Sequence, residues 1–412
     1  MKFTLTEPKK FLKVLAAIKK EIYSKNQKPI LNCVKISVDE SVPDTLILEC
    51  TDLEMSIRVK VPADHVLHRM DYKEPLIVDI VDLIEMIKAF QDGQPTIQYL
   101  QMFEKETGKE EGPLSGPKYA IFEGKDIITF TGEDPAQFPV FPYYNTLSIP
   151  ICISQAMKEE TEKVLKSVSK DDIRYAMNGV SFSLNSGMAK FEGTDGRRLS
   201  RVQQNSYSPG RKFDAIIRPK AFSALKGFFR LFPDPGGYFL RVEENNTIFT
   251  WNAEKEEKNK VTIICRSIEG DFPNTERIWP GYQTSERMSF FPSDFLSALK
   301  RFPKNGENEA VKLSFNGDKI ELFKEDERGR AFNFAFYAET KEPACPYLYL
   351  SRAFLLEGLQ GLKAGELASI GVKGKKEPVT LSQGNYDYLV MPLNIEEPAK
   401  EGEEKKEEVE AA

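Results

Sequence analysis

Six amphipathic segments recur along the chain as three pairs, and a repeat of that kind restricts the architecture more than any other feature. The first pair begins at Pro8–Glu21, where Phe11, Val14, Leu15 and Ile18 fall on one helical face. Its companion, VDIVDLIEMIKAF, aligns Ile80, Leu83, Ile84 and Ile87. The pair returns as ISQAMKEETEKVLKSVSK, with Met157, Val164, Leu165 and Val168, and RPKAFSALKGFFRLFP, where Pro219 suits a first helical position. It returns again as SDFLSALKRF, with Phe295, Ala298, Leu299 and Phe302 behind the capping candidate Ser293, and SRAFLLEGLQGLK, with Leu355, Gly358, Leu359 and Leu362. Copies are spaced by about 140 residues, close to one domain length.

Strand-like runs fill the intervals: LILEC, SIRVKV, DIITFTG, NGVSFSL, TIFTWNA, VTIIC, VKLSFNG, KIELF and FNFAFYA. Short turns such as EGKD and NGDK join several of them. Strand runs punctuated by two helices predict α+β domains built on antiparallel sheet. Loop motifs repeat as well: TDLEMSIRV from Thr51 resembles TDGRRLSRV from Thr194, and GEDPAQFPVFP resembles EGDFPNTERIWP. The polar, Gly- and Pro-rich stretch Phe103–Lys118 departs from the repeat and reads as an enlarged hairpin loop. The terminal EEPAKEGEEKKEEVEAA has no aromatic residue and is expected to be disordered.

Composition narrows the function class. No apolar run approaches the roughly 20 residues that span a bilayer, and MKFTLTEPKK lacks a signal-peptide core, so a cytoplasmic location is expected. The cysteines at 33, 50, 152, 265 and 345 form no CxxC pair and read as reduced, mostly buried thiols. The two histidines, His65 and His68, have no cysteine beside them to complete a zinc site. No phosphate loop, dinucleotide fingerprint, GxSxG or HExxH occurs. A scaffold without catalysis, cofactor or metal is therefore favoured over an enzyme.

The net charge of −6 argues against indiscriminate nucleic-acid binding, but distribution matters more than the sum. Lys9, Lys13 and Lys20 occupy an arc about 180° from the apolar face of the first helix. Lys163, Lys166 and Lys170 lie opposite the apolar face of the third segment, and the series continues at Lys220, Lys226, Arg230, Lys300, Arg301, Lys304, Arg352 and Lys363. Lysine on an outer helix face ordinarily serves solubility. Repetition in all three copies points further, to a positive track that meets phosphates without reading sequence.

Taken in order, MKFTL, KPILNCVKISV, TDLEM, EDPAQFPVFP, DDIRYAMNGVSFSL, GTDGRRLSRV, RSIEGDFPNTERIWP and YLVMPLN resemble the bacterial DNA polymerase III beta subunit family, the DNA sliding clamps, from Met1 to about Leu393. The resemblance implies three clamp domains at 1–145, 146–283 and 284–396, followed by an acidic tail at 397–412. Each domain would pack two helices on antiparallel sheets, and two chains would close head to tail into a ring around duplex DNA. The family carries a peptide cleft that receives short hydrophobic motifs from the polymerase catalytic subunit, the clamp loader and repair proteins. Residue by residue it falls here on Met177, Thr194, Gly196, Arg197, Arg198, Leu199, Pro273, Arg277, Ile278, Leu389, Met391, Pro392 and Leu393, with Arg198 and Arg277 expected to fix the peptide's polar groups. DNA contacts fall on Lys25, Arg174 and Tyr175, joining the helix lysines Lys9, Lys13, Lys20, Lys166 and Lys170. The dimer edge falls on Ile128 and Phe130 in the first domain and on Leu299 and Phe302 in the third. Arg197 stands where some members have histidine, and Ala176 replaces a common aromatic residue. A monomeric peptide-binding hub of the same fold, distinguished by oligomeric mass, is the alternative; a metal-dependent enzyme would require turnover that no residue pattern suggests.

Overall fold

The computed structural model describes residues 1–24, 28–67, 75–91, 93–100, 117–145, 150–205, 212–234, 237–243, 245–252, 260–279, 287–303, 310–326, 328–339 and 345–395. Lys25, His68, Lys304, most of the Phe103–Lys118 stretch and the acidic tail lie outside the described residues. The chain divides into two units, Met1–Phe191 with Gln203–Phe272, and Glu192–Val202 with Pro273–Ala412.

The first unit starts with β1 (Lys2–Thr4), α1 (Pro8–Ile22), β2 (Cys33–Val38), β3 (Thr45–Thr51), β4 (Met55–Pro62), β5 (Asp64–Leu67) and β6 (Leu76–Asp79). There follow α2 (Ile80–Ala89), β7 (Thr96–Tyr99), β8 (Lys118–Glu123), β9 (Asp126–Thr131), β10 (Ile151–Ile153), α3 (Gln155–Val164) and β11 (Val180–Asn185). The chain then runs through β12 (Met188–Thr194) and β13 (Arg198–Asn205) to β14 (Phe213–Ile217), α4 (Pro219–Leu231), β15 (Tyr238–Glu243), β16 (Asn246–Asn252) and β17 (Lys260–Arg266). One antiparallel sheet orders its strands β5-β1-β7-β8-β9; another orders them β10-β15-β16-β17-β4-β3-β2-β6, and β11 pairs with β14. The second sheet joins the two repeats of this unit through β4 and β17, where Ile57 faces Ile263 and both are fully buried.

The second unit adds β18 (Arg287–Phe290), α5 (Pro292–Lys300), β19 (Ala310–Asn316), β20 (Lys319–Glu325), β21 (Ala331–Glu339) and β22 (Tyr347–Ser351). It ends with α6 (Arg352–Gln360), β23 (Ala368–Gly371), β24 (Val379–Gln383) and β25 (Tyr386–Val390). Its strands run β13-β25-β24-β23-β18-β21-β20-β19-β22. The EGKD and NGDK turns close hairpins at Glu123–Asp126 and Asn316–Lys319, with Gly124 and Gly317 left-handed as such two-residue turns demand.

The helices form where their apolar stripes meet these sheets. On α1, Phe11, Val14, Leu15 and Ile18 are buried, Pro8 takes the first turn, and Lys19 and Lys20 sit in the last turn, where cations suit the helix dipole. Asp79 caps α2 by accepting from the Val81 amide at 2.7 Å, and Ser154 caps α3 through the Met157 amide at 3.2 Å. Two expectations are corrected. Ser293 does not cap α5: Pro292 is already its first residue, and the Ser293 hydroxyl bonds the Asp294 carboxylate at 3.2 Å. The third helix ends at Val164 and tightens into a 3₁₀ turn at Leu165–Ser167, so the 100° spacing does not carry to Lys166 and Lys170.

Four of the five thiols are buried, at Cys33, Cys50, Cys265 and Cys345, and Cys152 is exposed. Burial pushes the Cys33 thiol up to about 12, helped by the Asp79, Glu133 and Asp82 carboxylates. Burial likewise pushes Cys265 up to about 12 and raises Cys50. Unfolding releases these thiols to their ordinary value of 9.0, so at high pH the unfolded chain loses protons that the native chain keeps. The denaturant midpoint is therefore expected to hold up to about pH 8 and to fall steadily from about pH 9 to pH 11. A flat midpoint over that range would contradict the burial, as would equal reaction rates of all five thiols with a disulfide reagent.

Candidate functional site

In the first unit the four helices form one layer in the order α2, α1, α4, α3. Helix α1 packs against α2 and also against α4, where the Ser223 hydroxyl donates to Glu21 Oε1 at 2.9 Å. The α4–α3 contact is made by Lys226 with Glu162 at 2.6 Å and by Lys158 over the Phe229 ring at 4.7 Å. Lys9, Lys13 and Lys20 are exposed on this layer, with Lys166, Lys170, Arg174 and Tyr175 exposed on the segment after α3. Arg218 donates to the Tyr175 hydroxyl at 3.1 Å and to the Arg266 carbonyl at 3.2 Å, which orients the half-exposed ring. No sequence signal singled out Arg218.

The rest of the basic series divides on inspection. Lys220 is paired with Asp52, Lys226 with Glu162, and Lys163 with Glu160 at 2.6 Å. Arg352 is not on a surface at all. It is 8% exposed, and its guanidinium donates to the carbonyls of Leu299 at 3.1 Å and Phe302 at 3.2 Å, satisfying the end of α5. Lys20 is paired too, with Glu21 at 2.8 Å, yet like Lys9, Lys13, Lys166, Lys170 and Arg174 it remains exposed, so exposure marks the positive face and Arg352 drops out of it.

The proposed peptide-binding residues of the second unit gather at the junction of β13 and β25. Arg198 lies opposite Val390 and Leu199 opposite Leu389, and the Met391 amide donates to the Arg197 carbonyl at 2.9 Å. The tight turn before β13 is built by Asp195, whose Oδ1 accepts from the amides of Arg197 at 2.9 Å and Arg198 at 3.1 Å. Gly196 takes the left-handed conformation, φ +85°, that this turn requires. Thr194, Leu199 and Leu389 are buried beneath, whereas Arg197, Pro273, Arg277, Ile278 and Met391 are exposed and Pro392 and Leu393 half-buried. Arg198, expected to meet peptide, is held within its own unit: its guanidinium bonds Asp195 Oδ2 at 3.0 Å, pairs with Glu357 and stacks on Phe354 at 4.4 Å. Arg277, by contrast, is exposed. Met177 belongs to the other unit, half-buried, with its carbonyl accepting from the Ser169 amide at 3.0 Å.

What holds Arg277 and Ile278 in place is a residue that sequence reading passed over. Arg201 is buried and donates to Glu192 Oε1 at 2.7 Å, Thr275 Oγ1 at 3.2 Å and Glu276 Oε1 at 3.0 Å, with the Trp279 ring at 4.4 Å. The first repeat contains the same device. Arg58 donates to Glu49 at 2.8 Å and lies over Phe141 at 3.9 Å, below a turn in which Asp52 accepts two amides and Leu53 has φ +74°. The signal that could have revealed it was the second half of the repeated motif, an arginine six residues after the Thr-Asp aspartate in both copies.

Leu299 and Phe302, expected at a subunit edge, are 0% and 2% exposed inside their own unit. Phe302 packs its ring 5.0 Å from Phe334 of β21. Those two side chains are covered already and offer no surface. Ile128 and Phe130 lie half-exposed on β9, the last strand of its sheet, with Phe130 stacked 5.6 Å from Tyr119. Among the described residues no helix is long and apolar enough to cross a membrane.

This architecture is that of the DNA polymerase III beta clamps. The beta subunit of Streptococcus pyogenes DNA polymerase superposes with a TM-score of 0.79 at 19% identity, covering 96% of this chain and 100% of that one. The Bacillus subtilis sliding clamp gives 0.78 at 19% identity with the same coverage. By sequence, the chain resembles the bacterial beta subunit family itself: residues 1–107 match the family described as DNA polymerase III beta subunit, N-terminal domain. The beta sliding clamp of Chlamydia muridarum is 23% identical over 384 residues, 89% of this chain and 92% of that protein. That of Staphylococcus aureus strain Mu50 is 24% identical over 330 residues, 78% of this chain and 80% of that protein.

Arg201→Ala removes the partner of a carboxylate that is 3% exposed, and breaking a buried pair in this way costs about 3–5 kcal/mol. Urea unfolding is expected to show that loss for Arg201→Ala and a smaller one for Arg58→Ala, whose side chain is 34% exposed. Equal losses at the two sites would contradict this ranking.

Proposed function

We propose that the chain is a DNA sliding clamp, a processivity factor that encircles duplex DNA as a homodimer and tethers polymerases through a hydrophobic peptide-binding surface. The observation that carries the reading is the four-helix layer of the first unit, with Lys9, Lys13 and Lys20 turned to solvent, on a chain with the clamp fold over nearly its whole length. A layer of that kind inside a closed ring meets phosphates weakly and without sequence preference, and retention is topological. Weak contact suits the task, because tight phosphate binding would stop sliding. On this reading the domains are 1–145, 146–283 and 284–396, and DNA meets Lys9, Lys13, Lys20, Lys166, Lys170, Arg174 and Tyr175, with Lys25 outside the described residues.

Partner peptides would dock on Ile278, Met391, Pro392 and Leu393, with Arg277 meeting a polar group. Flexible methionine beside branched apolar side chains accepts varied hydrophobic motifs. The polymerase catalytic subunit, a clamp loader and repair proteins are the partners this implies. The chain itself supplies no catalysis in this scheme, takes no cofactor and works in the cytoplasm.

The direct test loads the full chain on a nicked circular plasmid with the loader of the same cell. The clamp should remain on the circle in high salt and leave when the plasmid is cut once. Release from circle and linear DNA alike would sink the proposal. The Lys9→Glu, Lys13→Glu, Lys20→Glu triple variant should flatten the salt dependence of duplex binding by up to about 3 in the log–log slope, near 0.9 per lost phosphate contact. An unchanged slope would remove α1 from the DNA-facing surface.

A further inference from the structure

Two tyrosines of β22 gather lysines around them in the second unit. Tyr347 and Tyr349, two apart on one face of the strand, meet edge to face with ring centroids 6.3 Å apart. Lys312 of β19 lies 4.0 Å from the Tyr347 ring and 5.9 Å from the Tyr349 ring, and Lys375 lies 3.7 Å from the Tyr347 ring. Lys373, Lys375 and Lys376 are exposed in the loop between β23 and β24, with Glu377 as the carboxylate beside them. The same loop flanks the proposed peptide-binding segment. Val379 pairs with Val390, so the loop leading into Val379 and the segment leaving Val390 start side by side.

An acidic segment is tethered at this platform. The Leu393 amide donates to the Tyr349 carbonyl at 2.8 Å, and Ile395, two residues on, is the last described residue. Residues 396–412 carry eight glutamates against three lysines. Extended, they reach on the order of 50 Å, at about 3.3 Å per residue, so their carboxylates meet the lysines with length to spare. A tether this short holds its charges near the platform at an effective concentration on the order of millimolar. Ion pairs too weak to retain a free peptide are enough to seat a tethered one.

The rings narrow the chemistry of the occupant. Two ammonium groups already lie against Tyr347, so the platform presents cations rather than open aromatic faces. Single-stranded nucleic acid binds by stacking its bases on free rings, whereas carboxylates need only the ammonium groups. We propose that the acidic segment 396–410 folds back onto Lys312, Lys373, Lys375 and Lys376 as a tethered counter-ion that covers the basic flank of the peptide-binding surface. Salt loosens this contact, because exposed charges are screened over about 10 Å at 0.1 M ionic strength. The bearing on partner peptides rests on the peptide-docking reading above; the contact itself does not.

The test compares the full chain with one shortened after Ile395. In low salt a carbodiimide should join glutamates of the segment to Lys373, Lys375 or Lys376 within one chain, mapped by mass spectrometry of the single-chain band, and high salt should abolish the links. Acetylation of those three lysines by a soluble active ester should run about threefold or more slower in the full chain than in the shortened one. Lys9 and Lys13 should react alike in both. The full chain carrying Glu403→Gln, Glu404→Gln, Glu407→Gln and Glu408→Gln should show the shortened chain's rates. Equal acetylation with and without the segment, or links as dense at Lys9 and Lys13 as at the platform, overturns the contact. Protection of the platform by added oligothymidylate but not by the segment assigns it to nucleic acid and overturns the contact as well. Both readouts are taken without DNA retention or partner peptides, so failure of the clamp reading and failure of this contact are distinguishable.

Discussion

Unpaired strand edges govern this molecule. A strand at the border of a sheet exposes a row of amide and carbonyl groups that must find partners. Within the first unit that need is met where β4 of one repeat takes β17 of the next, producing a sheet that passes from repeat to repeat without a border. The same solution appears at β13 and β25. The helices lie as a layer against these sheets because their apolar stripes have nowhere else to go.

The buried arginine–glutamate pairs are the local device that makes such junctions precise in geometry. Arg58 and Arg201 each reach across a hairpin to a glutamate and stack on an aromatic residue from a segment more than seventy positions away in sequence. A guanidinium presents fixed donors in a plane, so it sets both distance and orientation. In the second unit the pair also bonds Thr275 and Glu276, and this anchors the exposed Arg277 and Ile278 beside the end of β25. The stability of the hairpin and the placement of Arg277 and Ile278 are thus coupled through Arg201. Arg198, by contrast, is consumed by Asp195, Glu357 and Phe354, which is why adjacent arginines in one motif serve such different ends.

The sequence by itself determined the elements and their order. Periodicity placed the helices and their buried faces, since Phe11, Val14, Leu15, Ile18 and their counterparts at 80–87 and 295–302 are all in the core. Turn chemistry placed the hairpins, because the conformation of a two-residue turn depends on local residues alone. The repeated motifs were legible as repeats for the same reason. What only the tertiary structure decided is which side chains are already occupied. Leu299 and Phe302 were readable as an apolar pair, but not as residues covered from behind by β21. Arg352 reads as one more basic residue, yet it closes the end of α5, fifty positions earlier in the chain. Arg218 carried no local signal, and although the repeated motif marks Arg201, its bonds to Thr275 and Glu276 come from a distant segment. Hydrophobic period and turn type are short-range properties written in neighbouring residues; burial, ion pairing and the vacancy of a strand edge are long-range ones that exist only after the chain has folded.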